Sequence, residues 1–349
     1  MTVSSLYIEI TNLCNLNCAT CYNRSGLNQT RSEFSPELLR STIRFFLPMG
    51  LSRVIFSGGE PTLHSRFGEV TSLCGEFPNL TFGMTTNGTV HHEALLHFLT
   101  DHDNTDLQIS LDGSSEAVNA LTRGPGNFAK ALTLMESIHA AGISPGRLKI
   151  KTVLSGRNLA DIEDYFSLAV QNGFTPDFAF AHKSGNAQND WDSFSLTSDQ
   201  KQDAIRRIAA RAKKYGLEIP LPNATTGCPY AAQDPSLSLA INYHGFIQPC
   251  QLLYDSRYAI GDIHHLDASL LTQGIRRIQD VAKARLTRDY GCGKCMLNSG
   301  CGRGCMALAL LECGDITGCD GQCRERKQDF IRESLLQSVT NQANDSGRD

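Results

Sequence analysis

Cysteine placement constrains this chain more than any other feature. Of thirteen cysteines in 349 residues, Cys14, Cys18 and Cys21 share one short stretch and nine lie between Cys228 and Cys323, with only Cys74 between the two groups. The opening MTVSSLYIEITNLC has no basic segment followed by an apolar one, so nothing points to secretion or to an oxidising compartment. Grouped cysteines in such a chain are expected to hold metal or clusters in the cytoplasm rather than to form disulfides. A net charge of −4 without a basic stripe argues against nucleic acid, and no apolar run reaches the eighteen residues a membrane span needs. Apolar residues at 41 % and charged residues at 19 % are globular, and the length suggests two domains.

The first 190 residues alternate short apolar runs with amphipathic stretches. Strands are expected at 6–11, 53–57, 80–86, 106–112, 148–154 and 176–182, with helices near 36–48, 66–76, 91–100, 127–141 and 160–172. This rhythm implies parallel strands joined by helical crossovers, two units short of a closed barrel: an α/β chain with an open, partial (β/α)6 barrel. Polar residues alternate along several strands (Tyr7 and Glu9; Asp106, Gln108, Ser110 and Asp112; Lys149 and Lys151), which suits a ligand cavity inside the barrel or, for any one of them, simple exposure. We divide the chain into a barrel at 1–190, a linker and bridging helix at 191–227, a Gly- and Cys-rich domain at 228–330, and a helix end with a disordered tail at 331–349.

Cys14-Asn-Leu-Asn-Cys18-Ala-Thr-Cys21 follows the first strand directly. Three thiolates on one short loop can hold three irons of a 4Fe–4S cluster and leave the fourth open to a ligand, by the logic that separates catalytic from structural metal sites. Structural zinc would favour four ligands. Ser57-Gly58-Gly59-Glu60-Pro61 ends the second strand, Thr85-Thr86-Asn87-Gly88 the third, and Ser110-Leu111-Asp112-Gly113 the fourth, with Arg123-Gly124 after it. Together these segments resemble the radical S-adenosylmethionine (SAM) superfamily. The resemblance implies that the Gly58-Gly59-Glu60 segment receives the methionine amino group of SAM, with the glycines allowing close backbone approach and the acid pairing with an ammonium. It implies that Asn87 lies beside the cofactor and that Ser110 and Arg123 meet its ribose and carboxylate. Val153 is a candidate adenine contact or a core residue, and Asp112 is alternatively a cap or turn residue. All these segments sit where parallel α/β barrels place active sites, at the C-terminal ends of strands.

The second constellation runs Cys228, Cys250, Cys292-Gly-Lys-Cys295, Cys301-Gly-Arg-Gly-Cys305, Cys313, Cys319 and Cys323. It resembles the SPASM extension of radical SAM proteins, which implies two auxiliary iron–sulfur clusters, 4Fe–4S by family habit. Transferred residue by residue, Cys228, Cys250 and Cys305 hold the first, with Cys313 or Cys319 as alternative fourth ligands or an open iron. Cys292, Cys295, Cys301 and Cys323 hold the second, with Cys319 as alternative to Cys323. A zinc ribbon over 292–305 is also compatible with the spacing. Where the family pattern often has Asp-Gly, this chain has His244-Gly245. That leaves open an acid–base role, with iron ligation, proton uptake or a local hydrogen bond all available to His244. Cys74, in an apolar helix, reads as a core thiol.

Such a chain is expected to generate a 5′-deoxyadenosyl radical, fed by a donor such as flavodoxin or ferredoxin, and to abstract hydrogen from a peptide or small-protein substrate. Oxidation, cross-linking and epimerisation are the outcomes of that class. A small-molecule dehydrogenase or epimerase and a non-enzymatic zinc-binding module are the alternatives. Only thirteen residues precede Cys14. A leader-recognition domain of the kind many relatives carry there is therefore not expected, and the leader would be bound elsewhere or the substrate would be short.

Overall fold

The computed structural model describes residues 2–26, 30–223, 227–288, 295, 297, 301–332 and 334. Six parallel strands form in sequence order: β1 (Thr2–Thr11), β2 (Arg53–Gly58), β3 (Thr81–Thr86), β4 (Thr105–Ser110), β5 (Leu148–Leu154) and β6 (Thr175–Phe180). Each pair of neighbours is bridged by helix, as the sequence rhythm requires, and the expected helices form with small shifts at their ends.

Period-two patterning sorts the two faces. Leu6, Ile8 and Ile10 on β1, Val54 and Phe56 on β2, Phe82 and Met84 on β3, and Leu107 and Ile109 on β4 are wholly buried and face the helices. Each such side chain contributes about 1.5–3 kcal/mol by leaving water. On the other face Asp106, Gln108, Ser110 and Lys151 are half-exposed and Lys149 is exposed. Ion pairs lace this inner face, Arg53 with Asp106 at 2.7 Å and Lys151 with Asp177 at 3.0 Å.

Local signals start and stop the helices. Ser35 caps helix Pro36–Phe46, whose first position is proline. Thr197 and Gln200 form a capping box on helix Ser198–Tyr215, which ends on the left-handed Gly216.

Three further strands extend the sheet beyond β1: β7 (Ser236–Ile241), parallel to β1, then β8 (Phe246–Gln248) and β9 (Gly261–Asp262), both antiparallel. The sheet order is therefore β6-β5-β4-β3-β2-β1-β7-β8-β9. The proposed boundary at 228 thus cuts a continuous sheet rather than a gap between bodies. Leu6 pairs with Leu239 and Ile8 with Ile241 across it. The C-terminal region also carries a 20-residue helix, Ala268–Thr287, longer than its glycine-rich composition suggested. Residues 323–332 are helical; the rest of the expected last helix and the tail lie outside the described residues. Among the described residues no helix is long and apolar enough to cross a membrane.

Candidate functional site

The loop after β1 is clamped on three sides by main-chain bonds. Gly59 N–H donates to Thr11 O at 2.8 Å and Glu60 N–H to Leu13 O at 2.7 Å. Ala19 N–H donates to Thr122 O at 2.8 Å, at the end of helix Glu116–Arg123. From the loop after β6, Asn186 N–H reaches Cys21 O at 2.9 Å and Asn186 Nδ2 reaches Cys18 O at 2.9 Å. Cys14, Cys18 and Cys21 thereby share one half-buried patch at the C-terminal ends of the strands. Burial pushes the Cys14 thiol up to about 12 and Cys18 to about 11, and raises Cys21 as well. Arg123 opposes the rise at Cys18. Three desolvated thiols on one loop are a donor set that a bound metal cation would ionise. Among the described residues no three His, Cys, Asp or Glu side chains converge closely enough to hold a single metal ion. A four-iron cube, which gives each thiolate its own iron, asks for a wider spacing than one ion does.

The glycine pair faces the chain itself. Gly58 lies at φ +135°, and a Cβ there would sit 2.2 Å from Thr11 O; a Cβ on Gly59 would sit 2.1 Å from Leu13 O. The close approach that needs two glycines is therefore between the end of β2 and the cysteine loop. Gly59→Ala is expected to push the loop off β2 and leave the purified protein deficient in iron at the N-terminal site, as checked by iron analysis against wild type.

Glu60 is fully buried. Its Oε1 accepts Thr62 N–H at 3.2 Å and the hydroxyls of Thr62 and Thr86, both at 2.7 Å, while Oε2 accepts Asn87 N–H at 2.7 Å. Desolvation raises its pKa against these four donors. The carboxylate is a strut joining the ends of β2 and β3. Asn87 carries the link onward, its Nδ2 donating to Asn15 Oδ1 at 2.9 Å and lying 3.9 Å from Cys14 Sγ.

Asp112, fully buried, accepts Val153 N–H at 2.9 Å and forms an ion pair with Arg123 Nε at 2.9 Å. The arginine is thus held over Cys18 by a carboxylate, a role beyond a turn or cap. Val153 packs with Ala19 of the cysteine loop against Ala181, Ala187 and Phe194. Ser110, half-exposed, ends β4 on the inner face.

One part of the site had no assigned role in the sequence. Glu9, 1 % exposed, accepts the Tyr22 hydroxyl at 2.9 Å, Asn23 Nδ2 at 3.2 Å, Tyr243 N–H at 3.3 Å and the Tyr254 hydroxyl. Tyr22 and Asn23 follow Cys21, whereas Tyr243 and Tyr254 belong to the C-terminal region, so one buried carboxylate ties the cysteine loop to the second half of the chain. An acid on the strand just ahead of Cys14, and an aromatic just after Cys21, were the available signals. Burial raises the Glu9 pKa. Glu9 therefore holds its proton more tightly in the folded protein than in the unfolded chain as pH climbs past 4.5, and its own contribution to stability falls over that interval. The expected result is that Glu9→Gln flattens this fall: the difference in melting temperature, variant minus wild type, grows as pH rises from 4 to 7. That difference cancels His182, whose lowered pKa works in the opposite direction.

In the C-terminal half, burial pushes Cys228 to about 12 and Cys250 to about 11, and the thiols are close enough that Cys250 and Cys305 add to the rise at Cys228 and Cys305 to that at Cys250. Arg285, 2 % exposed, donates to the carbonyls of Arg303, Gly304 and Gly318 and braces the loop that carries Cys305. Cys301 lies beside Arg326. Cys292 falls outside the described residues; Cys295 is half-buried and Cys323 exposed. Cys313 turns its thiol to Ala309 O at 3.1 Å, and Cys319 is exposed. His244 is exposed, its ring beside Tyr243 and Phe246. Cys74 is fully buried with its thiol on Thr71 O.

Residues 8–169 match the family model described as the radical SAM superfamily. Over 326 residues the chain is 27 % identical to mycofactocin maturase MftC of Mycolicibacterium smegmatis, covering 91 % of this chain and 81 % of that one. It is also 27 % identical over 269 residues to the probable GTP 3',8-cyclase of Methanocella arvoryzae, covering 74 % of this chain and 84 % of the other. Among solved structures, native anSMEcpe with bound AdoMet and Cp18Cys peptide superposes with a TM-score of 0.74 at 17 % identity, over 99 % of this chain and 100 % of that chain. That likeness establishes the fold.

Proposed function

We propose that this chain is a radical SAM enzyme that modifies a peptide through hydrogen abstraction, with Cys14, Cys18 and Cys21 holding the 4Fe–4S cluster; the family match over residues 8–169 supports the reading. When bound, cluster and SAM together supply a 5′-deoxyadenosyl radical. The cysteine loop would hold three irons, clamped by β2, by helix Glu116–Arg123 and by the loop after β6. Glu60 would fix the Gly58–Gly59 turn and Asn87 beside the cluster, rather than meet the methionine ammonium with a free carboxylate. Arg123, Ser110 and Val153 line the same rim and would meet the carboxylate, ribose and adenine of SAM. The half-exposed polar face of β4 and β5 would keep the reacting carbon of the substrate near C5′, within the reach that hydrogen transfer requires.

For the C-terminal region we propose two auxiliary iron–sulfur clusters: Cys228, Cys250 and Cys305 on one, and Cys292, Cys295, Cys301 and Cys323 on the other. The proximity of the first three thiols supports that grouping. A flavodoxin or ferredoxin would deliver the electron. The observation that carries the whole reading is the clamped loop of three desolvated thiols at the strand ends, joined through Glu60 and Asn87 to the glycine pair. The peptide substrate rests on the relative named as a maturase, which aligns along nine-tenths of the chain. The relative named as a GTP cyclase supports a small-molecule substrate as the second reading, over a shorter alignment.

The test is anaerobic reconstitution and reduction, followed by 5′-deoxyadenosine assay and mass spectrometry of short peptides encoded beside this gene. A peptide whose mass changes only when SAM is present supports the proposal. SAM cleavage driven by a nucleotide or sugar, with every neighbouring peptide unchanged, transfers the enzyme to the small-molecule reading.

A further inference from the structure

Between β6 and the C-terminal helices lies a cavity of about 170 Å³. Phe178, Phe180, Ile205, Leu252 and Leu308 make its apolar wall. A cavity of about 150 Å³ accepts one benzene ring, so this one fits a single side chain rather than a whole substrate.

Its other wall is polar, with Lys201, His182, Gln322 and Glu325 on it, and two of its acceptors are unserved. Glu325, 8 % exposed, takes Lys201 Nζ on Oε1 at 3.2 Å, while its Oε2 is buried with no hydrogen-bond partner among the described residues. Gln322 Oε1 is likewise buried without one among the described residues. Each such acceptor is a standing cost until a donor reaches it. His182 faces the same space, and burial together with Lys201 lowers its pKa to about 4, so near neutral pH the ring is uncharged and one nitrogen offers a lone pair. Asp329 is already served by Gln202 Nε2 at 2.8 Å and Arg332 at 3.0 Å.

An occupant that satisfies the two orphaned acceptors must bring N–H groups to Glu325 and Gln322. An ammonium has three donors, a guanidinium five, and neither has a lone pair to set against Glu325. A carboxylate would set its charge against Glu325 and leave Oε2 unserved, even with Lys201 on the same wall, and a purely apolar chain would leave both acceptors orphaned. The five apolar residues then suit a hydrocarbon stem, the arrangement long basic side chains favour.

Short stretches of chain join the cavity wall to both proposed cluster sites. His182 is two residues past the end of β6, and the segment that follows it binds Cys21 O through Asn186 N–H. Leu252 is two residues past Cys250.

We propose that this cavity is a specificity subsite for a lysine or arginine side chain of the substrate. The source of that side chain rests on the peptide reading above; the chemistry of the pocket does not.

The reconstituted, full-length enzyme with SAM bound is titrated calorimetrically with four probes, acetyl-Gly-X-Gly-amide with X as lysine, arginine, norleucine or glutamate. Lysine and arginine are expected to bind at least tenfold tighter than norleucine, about 1.4 kcal/mol, with glutamate weakest. Glu325→Gln should bring lysine and norleucine within about twofold of each other. Should that variant load poorly with iron, Ile205→Trp fills the stem end instead and should remove lysine and arginine binding in a protein with wild-type circular dichroism. Norleucine equal to lysine in wild type, or no probe bound at millimolar concentration, overturns the subsite. A neighbouring precursor modified by the enzyme while lysine and norleucine probes bind alike sinks the subsite alone. The expected ranking with no precursor ever modified keeps the subsite and sinks the peptide reading.

Discussion

Cys18→Ala is expected to lower 5′-deoxyadenosine formation at least a hundredfold, which is roughly 2.7 kcal/mol of barrier, and to remove about a third of the iron. Cys18 is the middle thiol of the loop and the one nearest a fixed positive charge. Burial drives it up to about 11, and Arg123 is the influence that lowers it. Without iron this thiol is neutral near pH 7, so alanine removes a ligand without leaving a buried charge. The loop should survive the change. Its anchors are the main-chain bonds from Ala19 to Thr122 O and from Asn186 to Cys21 O, and the Asn186 side-chain amide on Cys18 O, all of which alanine retains. The variant should therefore melt close to wild type yet fail to cleave SAM, with the iron–sulfur absorbance of the C-terminal half still present. Cys74→Ala is the matched control, since that thiol is fully buried and bonded to Thr71 O within its own helix. It should keep its full iron content. Cleavage within tenfold of wild type after loss of Cys18 would remove the loop from the cofactor site.

Much of this was legible in the sequence because period and spacing carry it. The six barrel strands follow from apolar alternation, and their order follows from the right-handed crossover that a strand–helix–strand unit imposes. The loop of Cys14, Cys18 and Cys21 is local, so spacing alone sets it apart. What stayed hidden depends on residues far apart in the chain. β7 is six residues long and reads as a strand only because β1 offers it an edge 230 residues earlier. The glycine pair of Gly58 and Gly59 suggested a ligand, but its requirement comes from Thr11 O and Leu13 O crossing beneath it. Glu9 looked like one more polar residue on a strand face. Its role depends on Tyr22 on one side and on Tyr243 and Tyr254, more than 230 residues away, on the other. Composition also misled where it counted glycines: helix Ala268–Thr287 sits in the Gly- and Cys-rich region because its own apolar stripe, Leu271, Ile275, Ile278 and Ala282, is intact.

The largest stability effect should come from Asp320→Ala. Asp320 and Arg326 form a two-pronged pair, Nη1 to Oδ2 at 2.7 Å and Nη2 to Oδ1 at 2.8 Å, with side chains 0 % and 5 % exposed. Removing one member of a buried pair strands the other charge and costs about 3–5 kcal/mol, whereas removing both is often near neutral. Here the acid has a second duty. Its Oδ2 accepts Cys305 N–H at 3.0 Å and its Oδ1 accepts Gln322 N–H at 3.2 Å, so the same carboxylate sets the main chain at a proposed cluster ligand. The two duties separate in a paired experiment. Asp320→Ala should shift the urea midpoint down and shed C-terminal iron together. Asp320→Ala combined with Arg326→Leu should recover most of the midpoint, because no guanidinium is left buried, while the iron stays low, because Cys305 N–H still lacks its acceptor. SAM cleavage at the N-terminal loop should persist in the double variant, since Cys14, Cys18 and Cys21 are anchored by β2, helix Glu116–Arg123 and the loop after β6. Full iron in the double variant would show that the ion pair acts on stability alone and that Asp320 does not position Cys305.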